Sequence, residues 1–221
     1  PVTGVDLAAE AIIRDGLMGL DDTIPYISEE RALPDYEERR GWSRYWLIDP
    51  LDGTKEFINR TDEFTVNIAM IENGEPVLGV VVAPASGLLF YARKGAGAWK
   101  QESGASPQRL RSTLSDPSEA LRVVESRSHP SPALESFLKP FTIKERVKSG
   151  SSLKFCVVAD GRADVYPRLG PTMEWDVAAG DCVYRNSGSP EPHPGTLRYN
   201  KPSLLNPSFV IGLPPGSYVL P

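Results

Sequence analysis

A mixed α/β fold, built in layers of sheets and helices, is predicted for this 221-residue sequence by three features. An apolar helical face opens the chain, a run of strand-like segments punctuated by glycine turns follows, and the second half alternates strands with helices. A chain of this size suits one compact unit or two small lobes sharing a cleft.

The elements follow in order. Thr3 and Asp6 resemble a capping box, and Val5, Ala8, Ala9, Ile12, Ile13 and Leu17 recur on one face, so a helix is predicted over about 4–19. The stretch "TIPYISEE" and an exposed charged connector, "RALPDYEERRGW", lead to "YWLIDP", which reads as a buried strand ending at Asp49. From Phe64 onward, strand-like runs break at Asn73-Gly74, Ser86-Gly87 and Gly95-Ala96-Gly97, the pattern of an antiparallel meander. The last of these lacks a third glycine and a following helix, which argues against a dinucleotide fingerprint. Beyond residue 120 come strand "LRVVESRS", helix "SPALESFLKP", strand "TIKERV", helix "SSLKFCVVAD", strand "ADVYPRL", helix "EWDVAAGDCVYRNSG" and a closing strand "SFVIGL". Residues 187–203, "SGSPEPHPGTLRYNKPS", are Pro-rich and unpatterned and read as a loop.

Composition narrows the function. The net charge is −5, which disfavours a nucleic acid polymer as partner while leaving room for a local cationic pocket. Cys156 and Cys182 lie in separate apolar stretches with no metal-ligand spacing, as expected of a reduced, cytoplasmic protein. They read as buried helix residues rather than nucleophiles. No apolar run reaches the roughly 20 residues that span a bilayer; peripheral attachment and oligomeric state stay open. The sequon-like Asn59-Arg60-Thr61 has no secretory context.

The informative stretch is "DPLDGTKEF", residues 49–57. Pro and Asp-Gly form ordinary turns, and the segment could be no more than that. Pro50 also bends the chain so that Asp49, Asp52 and the Leu51 carbonyl can face one point. Acids elsewhere could join them: Asp6 near a helix start, Glu29 in "SEE" and Asp176 in "EWDVAAG". Crowded carboxylates repel, and a hard divalent cation relieves the repulsion. Mg²⁺ takes oxygen ligands together with phosphate oxygens, which points to phosphoryl hydrolysis. Backbone N–H groups of Gly53 and Thr54 would cradle the phosphate.

These residues carry a resemblance. Glu29-Glu30 after an apolar stretch, "WLIDPLDGT" and "EWDVAAG" resemble motifs of the inositol monophosphatase-like superfamily of Mg²⁺-dependent, lithium-sensitive phosphatases. The longer strings "YWLIDPLDGTKEFINRTDEFTVNIAMIENGEPVLGVVVAP" and "GSSLKFCVVADGRADVYPRLGPTMEWDVAAGD" are similar to its branch of 3'(2'),5'-bisphosphate nucleotidases, the CysQ type. The likeness runs from Pro1 to about Asp181 and returns weakly at "SLLNPSF". It implies a layered αβαβα sandwich with an N-terminal lobe, 1–120, holding most metal ligands, and a C-terminal lobe, 121–221, holding the nucleotide pocket. Glu29, Asp49 and the Leu51 carbonyl would hold one Mg²⁺, and Asp49, Asp52 and Asp176 a second, with Asp49 bridging. Thr54 and Asp6 would orient and deprotonate the attacking water, with Glu29 also in the catalytic set. Family members carry a further helix and a mobile loop ahead of the position of Pro1, so an upstream segment, and a loop contributing to a third ion, are expected.

A substrate with two phosphates needs a second anion site. "GSSLKF" offers one, with Ser151 expected to cap a helix whose first turn carries Lys154, and Arg168 adding a forked contact. The resemblance assigns Ser151, Lys154, Arg168 and His129, with Gly53, Thr54 and Asp176, to the substrate. His129 reads equally well as a plain loop residue, and Trp175 as packing its helix. The implied reaction is removal of the 3'-phosphate from adenosine 3',5'-bisphosphate, giving AMP, with the sulfated precursor as a second substrate in sulfur metabolism. An inositol or other sugar monophosphatase would share the metal ligands without the second anion site. A non-catalytic nucleotide-binding protein on the same fold would have lost ligands.

Overall fold

The computed structural model describes residues 4–127 and 132–220; Thr3 of the expected capping box and His129 lie outside the described residues. Helix α1 (Gly4–Leu20) is followed by β1 (Tyr26–Ser28), the one-turn α2 (Tyr36–Arg39) within the charged connector, β2 (Arg44–Asp52) and the short α3 (Thr54–Ile58). Strands β3 (Thr65–Glu72), β4 (Glu75–Ala83), β5 (Leu88–Arg93), β6 (Gly97–Glu102) and β7 (Gln108–Arg109) complete a seven-stranded sheet in sequential order. Only β1 runs parallel to its neighbour in that sheet; the other pairs are antiparallel, as the meander predicts. At the first hairpin Asn73 and Gly74 both adopt positive φ, +51° and +77°, the geometry such two-residue turns need.

The rest of the chain alternates as expected: β8 (Leu121–Ser126), α4 (Pro132–Leu138), β9 (Ile143–Ser149), α5 (Leu153–Ala159), β10 (Tyr166–Arg168), β11 (Thr172–Met173), α6 (Glu174–Ser187), β12 (Leu205–Asn206) and β13 (Phe209–Ile211). Strand β8 pairs in parallel with β9, and β10 pairs antiparallel with β13. A bridge from Val123 to Val165 ties the two pairs together. The layers run in order: α1 beside β2, the seven-stranded sheet, α6 and α5, then β8 with β10, and finally α4. That last helix buries Leu134, Phe137 and Leu138 against Leu121, Val123, Val165 and Val210. The order is αβαβα.

Helix α6 lies directly on the large sheet. A Cβ placed on Gly79 of β4 would stand 2.6 Å from the Ala179 carbonyl oxygen and from Cys182 Cβ. On the other side of the helix, a Cβ on Gly180 would come within 2.9 Å of the Phe155 side chain in α5. Both cysteines are buried and unbridged, as expected. Burial raises the Cys182 thiol pKa to about 12, which suits packing and not nucleophilic chemistry.

Two expectations need correction. The face of α1 that turns inward is not the apolar one: Asp6 and Glu10, one turn apart, are buried, while Ile12 is 74% exposed and Val5 46% exposed. Glu10 faces inward because Arg31, just after β1, reaches it through Nε at 3.0 Å and Nη2 at 2.9 Å, so the acidic edge is compensated. Strand β2 also runs past Asp49 to Asp52, through a register shift. Pro50 has no N–H to give to the ladder, and the strand bulges there instead of ending.

The Pro-rich segment 187–203 has little regular structure, yet it packs closely. His193, Leu197 and Tyr199 are buried, with His193 stacked on Tyr184 at 4.5 Å and its Nε2 at 2.8 Å from Ser112 Oγ.

Two outcomes follow. Gly79→Ala drives α6 off the sheet and destabilises by about 1–3 kcal/mol, measurable as a lower thermal midpoint. Burial holds His193 neutral, pushing its pKa from 6.5 down to about 4. The unfolded chain therefore binds the extra proton first, so stability is full above pH ~6.5 and falls as pH drops toward ~4. His193→Gln should flatten that part of the stability–pH curve, and unfolding titrations at several pH values read it directly.

Candidate active site

The bulge in β2 shapes the site. Asp49 pairs with Asn67 and Asp52 with Thr65, so three residue steps on β2 face two on β3. In a regular strand residues three apart point to opposite faces, but one inserted residue returns Asp52 to the face that Asp49 occupies. Asp49 closes the turn on itself, with the Leu51 N–H donating to Asp49 Oδ1 at 3.1 Å. Leu51 itself is buried.

Three other elements aim at this point. Strand β1 runs beside β2, and the Glu29 N–H donates to the Ile48 carbonyl at 3.2 Å, which sets Glu29 alongside Asp49. Asp176 occupies the first turn of α6, where its Oδ2 accepts the Met173 N–H at 2.7 Å. The Ser152 backbone, ahead of α5, lies near enough to Asp52 to favour its charged form. One carboxylate oxygen each of Glu29, Asp49 and Asp176 lies within 4.8 Å of the others. Asp6 is buried in α1 near enough to act on both Glu29 and Glu30.

Electrostatics mark the cluster as incomplete without positive charge. Burial, followed by Asp52, Glu29 and Asp176, raises the Asp49 pKa well above the usual carboxylate range. Burial and Asp176 bring Asp52 to about 7, against the pull of Lys154. Burial chiefly lifts Asp176 to about 6, and it raises Glu29 too. Asp49 Oδ2 is buried with no hydrogen-bond partner. An all-oxygen donor set, mutual repulsion and an unsatisfied buried oxygen fit a hard divalent cation.

A cavity of about 320 Å³ opens beside the acids, lined among others by Glu29, Asp52, Thr54, Lys154, Arg168 and Asp176. Gly53 sits at its edge with φ +90°, a left-handed conformation that glycine adopts without strain, and it starts α3 at Thr54. Lys154 is nearly buried, its Nζ donating to the Ser151 carbonyl at 2.6 Å, and burial lowers its pKa to about 8. Arg168 donates through Nη2 to the Pro171 carbonyl at 2.9 Å, while its Nε is buried without a partner.

Ser151 lines the cavity, but it does not cap α5 as the sequence suggests. The residue before the helix is Ser152; Ser151 adopts φ +46°, and its Oγ is buried without a partner. Ser126 and Tyr166 also face the cavity without having been singled out in the sequence. A tyrosine in "ADVYPRL" and a serine at a strand end carry no distinctive spacing, so nothing in the sequence marks them. Trp175 is buried in the core, as read from its position.

The Inositol monophosphatase family profile matches residues 1–206. The 3'(2'),5'-bisphosphate nucleotidase CysQ of Salmonella typhimurium is 48% identical over 212 residues, covering 95% of this chain and 84% of the relative. The protein of the same name from Escherichia coli K12 is 46% identical over 216 residues, covering 96% and 85%. Among solved structures, CysQ from Bacteroides thetaiotaomicron, a bacterial member of the inositol monophosphatase family, superposes with a TM-score of 0.73 at 43% identity, over 85% of this chain and 76% of that one.

If repulsion among the acids strains the metal-free fold, Asp49→Asn should stabilise it. In chelator at neutral pH the expected gain is about 1–3 kcal/mol, seen as a higher melting temperature, together with loss of any upward shift that added Mg²⁺ produces in the unsubstituted protein.

Proposed function

This chain belongs to the inositol monophosphatase family, and we propose that it is a Mg²⁺-dependent 3'(2'),5'-bisphosphate nucleotidase that removes the 3'-phosphate of adenosine 3',5'-bisphosphate to give AMP and phosphate. The observation that carries this reading is a single cavity with a carboxylate cluster on one part of its wall and, besides Lys55 next to Thr54, the cationic side chains Lys154 and Arg168 on another. A substrate with one phosphate at a metal centre and another a few ångströms away needs that arrangement.

In this reading Glu29, Asp49 and the Leu51 carbonyl would hold one Mg²⁺, and Asp49, Asp52 and Asp176 would hold a second. Bound there, Mg²⁺ supplies a Lewis acid that offsets phosphate charge and polarises the P–O bonds. The N-terminal lobe, residues 1–120, brings most of these ligands, and the C-terminal lobe, 121–221, brings Asp176 and the nucleotide contacts. Backbone N–H groups of Gly53 and Thr54 cradle the phosphate. The Thr54 hydroxyl orients the attacking water, and Asp6 with Glu29 takes its proton. Water adds to phosphorus as the P–O3' bond breaks, and the departing 3'-oxygen takes up a proton.

Ser151, Lys154 and Arg168 hold the 5'-phosphate. A second cavity of about 410 Å³ shares Ser126, Tyr166 and Arg168 with the first and is walled by Pro132, Leu134 and Leu169. Its apolar lining supports a nucleoside over an inositol ring. The sulfated precursor presents the same 3'-phosphate and is included in the proposal. No helix among the described residues is long and apolar enough to cross a membrane.

Phosphate release from adenosine 3',5'-bisphosphate and from inositol monophosphate, measured with Mg²⁺ and with chelator, tests the assignment. Faster, Mg²⁺-dependent turnover of the nucleotide is expected; faster turnover of inositol phosphate would overturn the substrate. Lys154→Met should lower kcat/KM for the bisphosphate by about 10- to 100-fold while changing inositol phosphate turnover far less.

A further inference from the structure

Beneath the two aspartates lies a small buried ring of polar groups. Ser152 Oγ donates to Asn67 Oδ1 at 2.6 Å, Asn67 Nδ2 donates to Thr65 Oγ1 at 3.3 Å, and Thr65 Oγ1 lies 2.9 Å from Ser152 Oγ. With the Ser152 proton committed to Asn67, the remaining contact is closed by the Thr65 hydroxyl donating to Ser152. Each member then gives one hydrogen bond and takes one, and all three residues are buried.

The ring's place in the fold is specific. Thr65 and Asn67 are the ladder partners of Asp52 and Asp49, the residues on either side of the bulge. The third member, Ser152, stands just ahead of α5, makes no side-chain cap to that helix, and lies with its backbone near enough to the Asp52 carboxylate to favour its charged form. Its hydroxyl is thus spent across the layer boundary, on β3, in place of its own helix.

We propose that Ser152, Asn67 and Thr65 act as positioning residues for the aspartate pair, clamping the start of α5 to β3 so that Asp52 is held at the spacing from Asp49 that a shared cation requires. The inference rests on the metal-binding reading above. Groups that orient ligands without touching the ion set its affinity by restricting the ligands to one geometry. A closed ring does this with little slack, because loss of any link leaves a buried donor or acceptor unpaired.

The test is Mg²⁺ affinity, measured by calorimetry on the whole chain without substrate. Ser152→Ala is expected to weaken Mg²⁺ binding by about tenfold and to raise by the same factor the Mg²⁺ needed for half-maximal phosphate release. Ser152→Thr keeps the hydroxyl and should restore most of the affinity. The near-isosteric Thr65→Val opens the ring at another link and should reproduce the loss if Ser152→Ala folds poorly. In an Asp52→Asn background, Ser152→Ala should cost no further affinity, since the ring acts through Asp52. A Ser152→Ala protein that melts lower but binds Mg²⁺ as the unsubstituted chain does would overturn the inference and leave the ring a matter of stability alone. If the unsubstituted chain itself binds no Mg²⁺, and Asp49→Asn changes nothing, the metal-binding reading fails and takes this inference with it.

Discussion

One extra residue in β2 is the constraint on which the rest depends. Strand geometry alternates side chains between faces, so two aspartates three positions apart would point away from each other. The bulge at Pro50 and Leu51 restores the parity and gathers Asp49 and Asp52 with their ladder partners, Asn67 and Thr65, on one side of the sheet. That side is also the one covered by α5 and α6, which bring Ser152 and Asp176 within reach. A proline is well suited to the place, because it interrupts the ladder where no N–H is wanted.

Gathering acids in a dry place is unfavourable for the fold alone. Burial lifts Asp49, Asp52 and Asp176, and each acid penalises the ionisation of its neighbours. The structure lowers that cost locally: the Leu51 N–H donates to Asp49 and the Met173 N–H to Asp176, while the Ser152 backbone favours the charged form of Asp52. A backbone N–H on a carboxylate fixes an orientation while leaving oxygen lone pairs for a cation. On the far wall, Lys154 and Arg168 are spent on the Ser151 and Pro171 carbonyls through only part of their donor capacity. Both signs of charge thus face one cavity with bonding capacity in reserve, which suits a metal–phosphate pair better than it suits either ion alone.

Much of the fold was legible because it rests on local rules. Glycine turns marked the meander, and alternating apolar periods marked the second half, element by element. The acidic motifs were legible too, as was the convergence of Glu29, Asp49 and Asp176. What escaped notice depended on tertiary context. The inward face of α1 is not legible because hydrophobic periodicity assumes that apolar residues seek the core, whereas here Arg31 makes a buried Glu10 tolerable. Strand β2 looked finished at Asp49 because a proline ends a regular ladder, and a bulge leaves no separate mark in composition. The same holds for Ser151 and Ser152: either serine could cap a helix, and only the left-handed backbone at Ser151 decides between them. The polar pair in "FTVNIAM" did carry a signal, since Thr65 and Asn67 share the parity of the buried Ala69 and Ile71.

The grip on α6 has a mechanical corollary. With the sheet backbone pressed against it at Gly79 and an aromatic ring flush against Gly180, the rod that bears Asp176 is gripped at close range on two sides. Across the pocket Glu29 is held differently, projecting from a turn that is exposed on its outer side. The centre is thus braced by the interior on one flank and by the surface on the other.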